Sequence, residues 1–162
     1  MSWRLAQKDW DANRGAKNRA TFRKLVRTGK ASGALAFADG RAIGWCSAAP
    51  RADFAGLGTK RSLATDWDAH TWSVTCFFIA KGWRAKGVGG KLLRAAVDLA
   101  RARGATRIEG YPALPPKAGG ELPAAFAWTG LPQLFERSGF DRLTRTPGKR
   151  PIYVRRFAKT RR

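Results

Sequence analysis

Apolar residues recur along the chain with two periods. Residues 34–38 and 41–48 are apolar runs on either side of Asp39-Gly40, a dipeptide that accepts the positive φ values of a type I′ turn. A β-hairpin is predicted there, ended by Pro50. Residues 71–80, TWSVTCFFIA, are β-branched and aromatic at both parities, as in a central strand covered on both faces. Residues 87–103 change to helical spacing, with Val88, Leu92, Ala96, Leu99 and Ala100 on one side and Gly104 as the stop. Residues 15–29 also read as a helix. Its apolar side is Ala20, Phe22, Leu25 and Val26, and its other faces carry Lys17, Arg19, Arg23, Lys24 and Arg27.

The remaining segments are shorter. Trp3 to Leu5 is predicted as an edge strand, and 51–70 as a loop or short helix. A strand is expected at 105–111. Residues 112–127 are rich in Pro, Ala and Gly and read as a mobile loop or lid. Thr129 is placed as the cap of a short helix to Ser138, with Pro132 in its first turn and Gly139 after its end. Two last strands are expected near 140–145 and 151–157. This order predicts one α/β domain over 1–157, with a mixed sheet of six to seven strands, helices on both faces, and a basic tail at 158–162.

Charge adds a second theme. Thirty-two Lys and Arg against eleven Asp and Glu give a net charge of +21. Such a field attracts nucleic acid, anionic membranes or a polyanionic cofactor. No acidic residue occurs between Ala12 and Ala38. Arg14, the basic helix and the tail residues Arg155, Arg156, Lys159, Arg161 and Arg162 are therefore candidates for non-specific nucleic-acid binding. An arginine-rich composition on solvated faces is the alternative. Cys46 and Cys76 form neither a disulfide framework nor a CxxC metal motif, and one histidine, His70, makes no zinc cluster. Both cysteines are expected as free thiols, with no metal site. The opening residues lack the apolar core of a secretion signal, and no apolar run reaches the roughly 18 residues of a spanning helix. A cytoplasmic location, with no membrane partner, is the expectation.

The chemistry concentrates in Trp83–Leu93, WRAKGVGGKLL, which leaves the central strand and opens the long helix. Gly87, Gly89 and Gly90 let a ligand approach the backbone closely. Unpaired N–H groups and the dipole of the helix start add positive potential, and Arg84, Lys86 and Lys91 add full charges. The segment is suited to a diphosphate. It is not a Walker A loop, because Leu92 follows Gly90-Lys91 and Ala85 stands where the first glycine should be. It fits a Rossmann fingerprint poorly, since Leu92 replaces the third glycine.

Arg84-x-x-Gly87-x-Gly89, after a central strand and before a long helix, resembles the acyl-CoA pyrophosphate loop of the GNAT acetyltransferase superfamily. Phe135-Glu-Arg-Ser-Gly139-Phe140 resembles that family's late helix with its Gly-Phe end, so the likeness runs from about residue 3 to 157. GWCSAAPR at 44–51, CFF at 76–78 and EGYP at 109–112 resemble a bacterial subgroup of poorly defined substrate. The resemblance implies acetyl transfer from acetyl-CoA to an amine by direct attack. It implies that Arg84, Ala85, Lys86, Gly87, Val88, Gly89, Gly90 and Lys91 hold the diphosphate. Backbone at Phe78, Ile79 and Ala80 would hold the thioester. Dimers are common in the family.

The acid and base are less directly implied. Glu109 is a lone carboxylate in a short strand. It is either a base with the raised pKa of an isolated buried carboxyl, or a partner of one of the many arginines. Tyr111, two residues on and hence on the same face, is the candidate proton donor. Asp66 and Asp68 could receive a cationic amine or belong to a solvated loop, and His70 titrates in a useful range. Cys76 stands where many relatives carry a strand carboxylate, and reads as a small core residue. Phe135 occupies the position of the family's usual tyrosine and has no proton to give.

Overall fold

The computed structural model describes residues 2–116, 120, 122–123, 126–144, 146 and 149–158, with only the backbone at residue 2. The tail residues Lys159, Arg161 and Arg162 lie outside the described residues, as does part of the predicted lid. Six strands form one sheet in the order β1-β2-β3-β4-β6-β5. They are β1 (Gly33–Ala38), β2 (Arg41–Pro50), β3 (Thr71–Ile79), β4 (Arg107–Gly110), β5 (Asp141–Arg142) and β6 (Tyr153–Arg156). The β3–β4 pair is parallel and all others are antiparallel. The helices are α1 (Gln7–Ala12), α2 (Ala16–Arg27), α3 (Ala55–Gly58), α4 (Val88–Ala102) and α5 (Pro132–Glu136).

The hairpin turns as its sequence demands. Asp39 has φ 47° and Gly40 φ 72°, the left-handed pair of a type I′ turn. Parallel β3 and β4 need a crossover, which α4 supplies. It buries Leu92, Leu93, Ala96, Val97 and Ala100 against Cys46, Ala48, Trp72, Val74 and Ile108 of the sheet. The opposite sheet face holds a second cluster of Trp3, Ala49, Phe54, Leu57, Leu63, Tyr111, Ile152 and Val154. On that face α2 packs through Phe22, whose ring meets Trp45 edge-on at 5.5 Å. Core thus lies on both sides of the sheet.

Three local expectations are revised, and one short helix had none. Trp3 starts no strand. Residues Ser2–Arg4 form a 3-10 turn, because the Trp3 ring is drawn against Tyr111 and Trp128 at 5.4 and 5.5 Å. The six-residue α1 is too short to show a period in the sequence. In α2 the buried residue is Asn18, whose Nδ2 donates to the Trp10 carbonyl at 2.9 Å, while Val26 stays 52% exposed. Thr129 does not cap α5. Its Oγ1 instead accepts from Arg150 at 3.3 Å.

Candidate active site

The parallel register of β3 and β4 ends at Val74↔Gly110. Beyond it, β3 continues to Ile79 with its β4-side edge free of β4. On that edge the Phe77 N–H donates to the Trp128 carbonyl at 2.7 Å. Strand alternation turns the Ile79 N–H the same way. The Ala80 N–H is used elsewhere, donating to the Ile43 carbonyl at 2.8 Å.

After Ile79 the chain makes a 3-10 turn at Lys81–Trp83 and enters α4 through two left-handed residues, Ala85 (φ 57°) and Gly87 (φ 76°). No side chain caps the helix start, and its first intrahelical bond runs from the Lys91 N–H to the Gly87 carbonyl. The N–H groups of Val88, Gly89 and Gly90 therefore have no helical acceptor. A Cβ at Gly90 would meet nothing within 4 Å, whereas one at Gly89 would touch Ile79 and Leu134. Arg84 donates from Nε to the Ile79 carbonyl at 3.0 Å and pins the turn to β3, and Lys86 Nζ lies 5.5 Å from the Trp83 ring centre.

A cavity of about 890 Å³ opens here, between α4 and α5. Ile79, Ala85, Gly87, Val88, Gly89 and Gly90 line one part of it, while Arg84, Lys86 and Lys91, the other candidates for the diphosphate, are outside the lining. Arg94, Asp98 and Leu131, with Gln133, Leu134, Arg137, Ser138, Gly139 and Arg155, line the rest. Those residues were not foreseen. Arg94 had a signal, one helical turn beyond Gly90, but α5 and β6 reach the cavity only through tertiary packing. Phe78 turns its ring to the other sheet face, 57% exposed.

Glu109 and Tyr111 do share one face of β4 and the segment after it, and the Tyr111 hydroxyl donates to Glu109 Oε2 at 2.8 Å. Of the two readings of Glu109, pairing with arginine is the one seen, in a buried setting and not at an exposed edge. Arg51 Nη1 donates to Glu109 Oε2 at 3.1 Å, Thr65 donates to both carboxylate oxygens, and Arg107 lies 3.3 Å from Oε1. Glu109 has no accessible surface. Arg51 also contacts the Tyr111 hydroxyl and donates to the Leu63 carbonyl. Ser73 Oγ completes the network, 2.9 Å from the same hydroxyl. Burial and the nearby Glu109 carboxylate push the Tyr111 phenol well up, so it keeps its proton.

The other candidates are placed as follows. Asp68 staples its loop, accepting from Thr71, from Thr106 and from the His70 N–H. Desolvation raises its carboxyl, but those hydrogen bonds outweigh it and the group sits below its ordinary range. Asp66 and His70 are exposed. Both cysteines are free, and burial pushes the Cys46 and Cys76 thiols up. Phe135 is fully buried and packs on Phe77, Phe140 and Tyr153.

Solved structures share this fold. The Salmonella typhimurium protein yncA, solved with its cofactor acetyl-CoA, matches at TM-score 0.55 and 16% identity, over 88% of this chain and 74% of that one. The PaiA N-acetyltransferase of Thermoplasma acidophilum, in complex with coenzyme A, matches at TM-score 0.56 and 15% identity, over 93% and 77%. AAC(6')-Ib with ribostamycin and coenzyme A matches at TM-score 0.57 and 19% identity, over 87% and 73%. No curated protein is a significant match in sequence. The sequence profile of the Acetyltransferase (GNAT) family matches residues 2–112, and the chain belongs to that family of acetyltransferases.

Proposed function

We propose that the protein transfers an acetyl group from acetyl-CoA to a primary amine by direct attack. The observation that carries this reading is the uncapped start of α4, opening at Gly87–Gly90 into a cavity that extends to Arg137 and Arg155. Its N–H groups and dipole suit a diphosphate, and its length suits a nucleotide with an extended arm. Bound acetyl-CoA would supply an activated thioester. The amine nitrogen forms a bond to the carbonyl carbon as the C–S bond breaks. The amine sheds a proton and the thiolate gains one.

Of the strand-end backbone, Ile79 is the group we assign to the thioester oxygen, because its N–H faces the open edge of β3. We assign the proton path to Ser73, Tyr111 and Glu109. A proton from the acceptor enters this fully buried chain through water at Ser73, which hands its own to the Tyr111 hydroxyl as Tyr111 hands its own to Glu109. Glu109 then works without touching the acceptor. Water protonates the thiolate, since Phe135 has no donor. The positive field disfavours polycationic acceptors. Two free thiols suit a reducing cytoplasm, and no described helix is long and apolar enough to cross a membrane.

The test is release of free CoA thiol from acetyl-CoA with a panel of amines, beside calorimetry of CoA binding. Gly89→Asp places a carboxylate at the helix start and is expected to abolish both. Unchanged CoA affinity in that variant would sink the assignment.

A second reading has its own observation: Lys17, Arg19, Arg23, Lys24 and Arg27 are all exposed on α2. It is non-specific nucleic-acid binding, whose affinity falls steeply with salt as counterions are released. Failure to shift a labelled RNA at about 50 mM salt removes it and leaves the acetyltransferase reading intact.

A further inference from the structure

We propose that the free edge of β1 is a docking site for an extended, acidic segment of a partner protein, added to the sheet as a further strand. β1 is the outer strand at one end of the sheet. Its sequence, GALAFA, contains no charge and no proline to blunt the edge. The two-residue turn makes Ala38↔Arg41 the closing hydrogen-bonded pair. Alternation then turns the N–H and C=O of Phe37 and Leu35 outward, with the Ala36/Phe37 irregularity absorbed on the β2 side. The same two residues carry the exposed side chains, each 61% accessible, while Ala34, Ala36 and Ala38 pack on the core beneath. An incoming strand would find backbone partners and apolar side chains together.

The flanking charge specifies the partner. α2 lies on the face where Leu35 and Phe37 emerge, with Phe22 turned down onto Trp45, the β2 residue paired with Leu35. At about 100° per residue, Val26, Arg19 and Arg23 fall together on one flank of α2, beside Phe22. Val26 is 52% exposed, and both arginines are exposed. The surface is thus an apolar strip with an open hydrogen-bonding edge, beside a helix whose exposed flank carries cations. It fits an extended peptide whose residues alternate apolar and acidic, bound by β-augmentation. A second copy of this chain would bring another +21 charge and another basic helix to the edge. Nucleic acid would leave the outward amides of Leu35 and Phe37 unused.

The experiment is fluorescence anisotropy with a labelled synthetic peptide of alternating valine and glutamate, and a second peptide with lysine for glutamate. The glutamate peptide is expected to bind saturably and the lysine peptide far more weakly. Leu35→Lys is the informative variant, because it adds positive charge while placing a blocking residue on the edge. Docking as a strand predicts a roughly tenfold loss with that variant, from one lost apolar pair and a charged edge. Binding by charge alone predicts a gain. Phe37→Lys gives a second reading, and unchanged CoA affinity certifies that each variant is folded. Equal binding of both peptides, or no loss with either lysine variant, overturns the proposal. A dimer in light scattering that Leu35→Lys dissolves assigns the edge to a second copy and also overturns it. So does an RNA that displaces the peptide and itself binds tighter to Leu35→Lys.

Discussion

Phe135 lies directly over Gly110. A Cβ built at Gly110 would fall 2.1 Å from Cε1 of the Phe135 ring and 2.6 Å from its Cζ. β3 and β4 part company at Gly110. The ring therefore fills the wedge between the diverging strands, braced by Phe77, Phe140 and Tyr153. At the position where the family resemblance implies a phenol, this chain has a packing residue whose Cε1 side lies against Gly110.

Two substitutions test that relationship. Gly110→Ala overpacks the wedge and is expected to cost about 1–3 kcal/mol, seen as a lower Tm. Phe135→Tyr would add a hydroxyl to a fully buried, closely packed ring, so it too should lower Tm, and it should not raise turnover. A faster Phe135→Tyr enzyme with an unchanged Tm would show that the wedge can open and that a phenol there reaches the thiolate.

Arg51 and Glu109 are 2% and 0% exposed at their side chains and form an ion pair at 3.1 Å. Removing one partner of such a pair leaves a buried charge and costs on the order of 3–5 kcal/mol. Glu109→Gln should lose stability of that order, and Arg51→Met/Glu109→Gln should recover part of it. Ser73→Ala separates structure from catalysis, since it cuts the proposed proton path without unpairing a charge. It is expected to lower kcat about 10²–10⁴-fold with little change in KM or Tm. Full turnover across pH in Ser73→Ala would break the path between the acceptor and Glu109.

How much of this was readable in advance depends on the range of the interaction. The Asp39-Gly40 turn and the Gly87–Gly90 turn are local, because positive φ and close approach demand glycine or aspartate at fixed positions. Glu109 and Tyr111 on one face followed from strand alternation. What Glu109 touches did not follow, because Arg51 is 58 residues away and Thr65 44. Arg51 lies just past Pro50 among many similar arginines, and nothing local marks it as the buried one. Trp3 looked like a strand residue because its bulk is β-prone, but its partners Tyr111 and Trp128 are contacts only the fold can make. The cavity's far wall on α5 and β6 was hidden for the same reason.

The tyrosines give a pH prediction. The chain has two, Tyr111 and Tyr153. Burial and Glu109 push Tyr111 well up, and burial with the hydrogen bond to Glu136 pushes Tyr153 up to about 12. Both folded values exceed the unfolded value of about 10, so the native state favours the neutral phenols. Their contribution to stability is complete below about pH 10 and is lost as pH rises above it. In an alkaline titration, phenolate absorbance should stay flat through pH 10 and 11. It should then rise near pH 12, or earlier in one step with loss of tertiary circular dichroism. A smooth titration at about pH 10 in the folded protein would show both rings to be exposed.

Arg155 supports the last prediction. Its Nη1 donates to the Ser138 carbonyl at 2.8 Å, and its guanidinium lies 3.8 Å from where a Gly139 Cβ would stand. The side chain is thus held in place at the cavity wall before any ligand arrives, close in the fold to Arg137 and across from Arg94. Only one part of this wall is needed for a diphosphate, because Gly87–Gly90 already supplies backbone donors. The remaining cations suit a further phosphate, such as the one on the ribose of CoA. A charge-assisted hydrogen bond is worth about 1.5–3 kcal/mol, so Arg155→Ala should weaken CoA binding roughly 10- to 100-fold. Dephospho-CoA lacks that phosphate and should lose much less. Raising the salt should narrow the difference, since these cations line an open groove and are partly screened. Calorimetry of both ligands with wild type and Arg155→Ala reads this directly. Equal losses for the two ligands would place Arg155 on the diphosphate instead, and no loss for either would leave it as a brace for Ser138 alone.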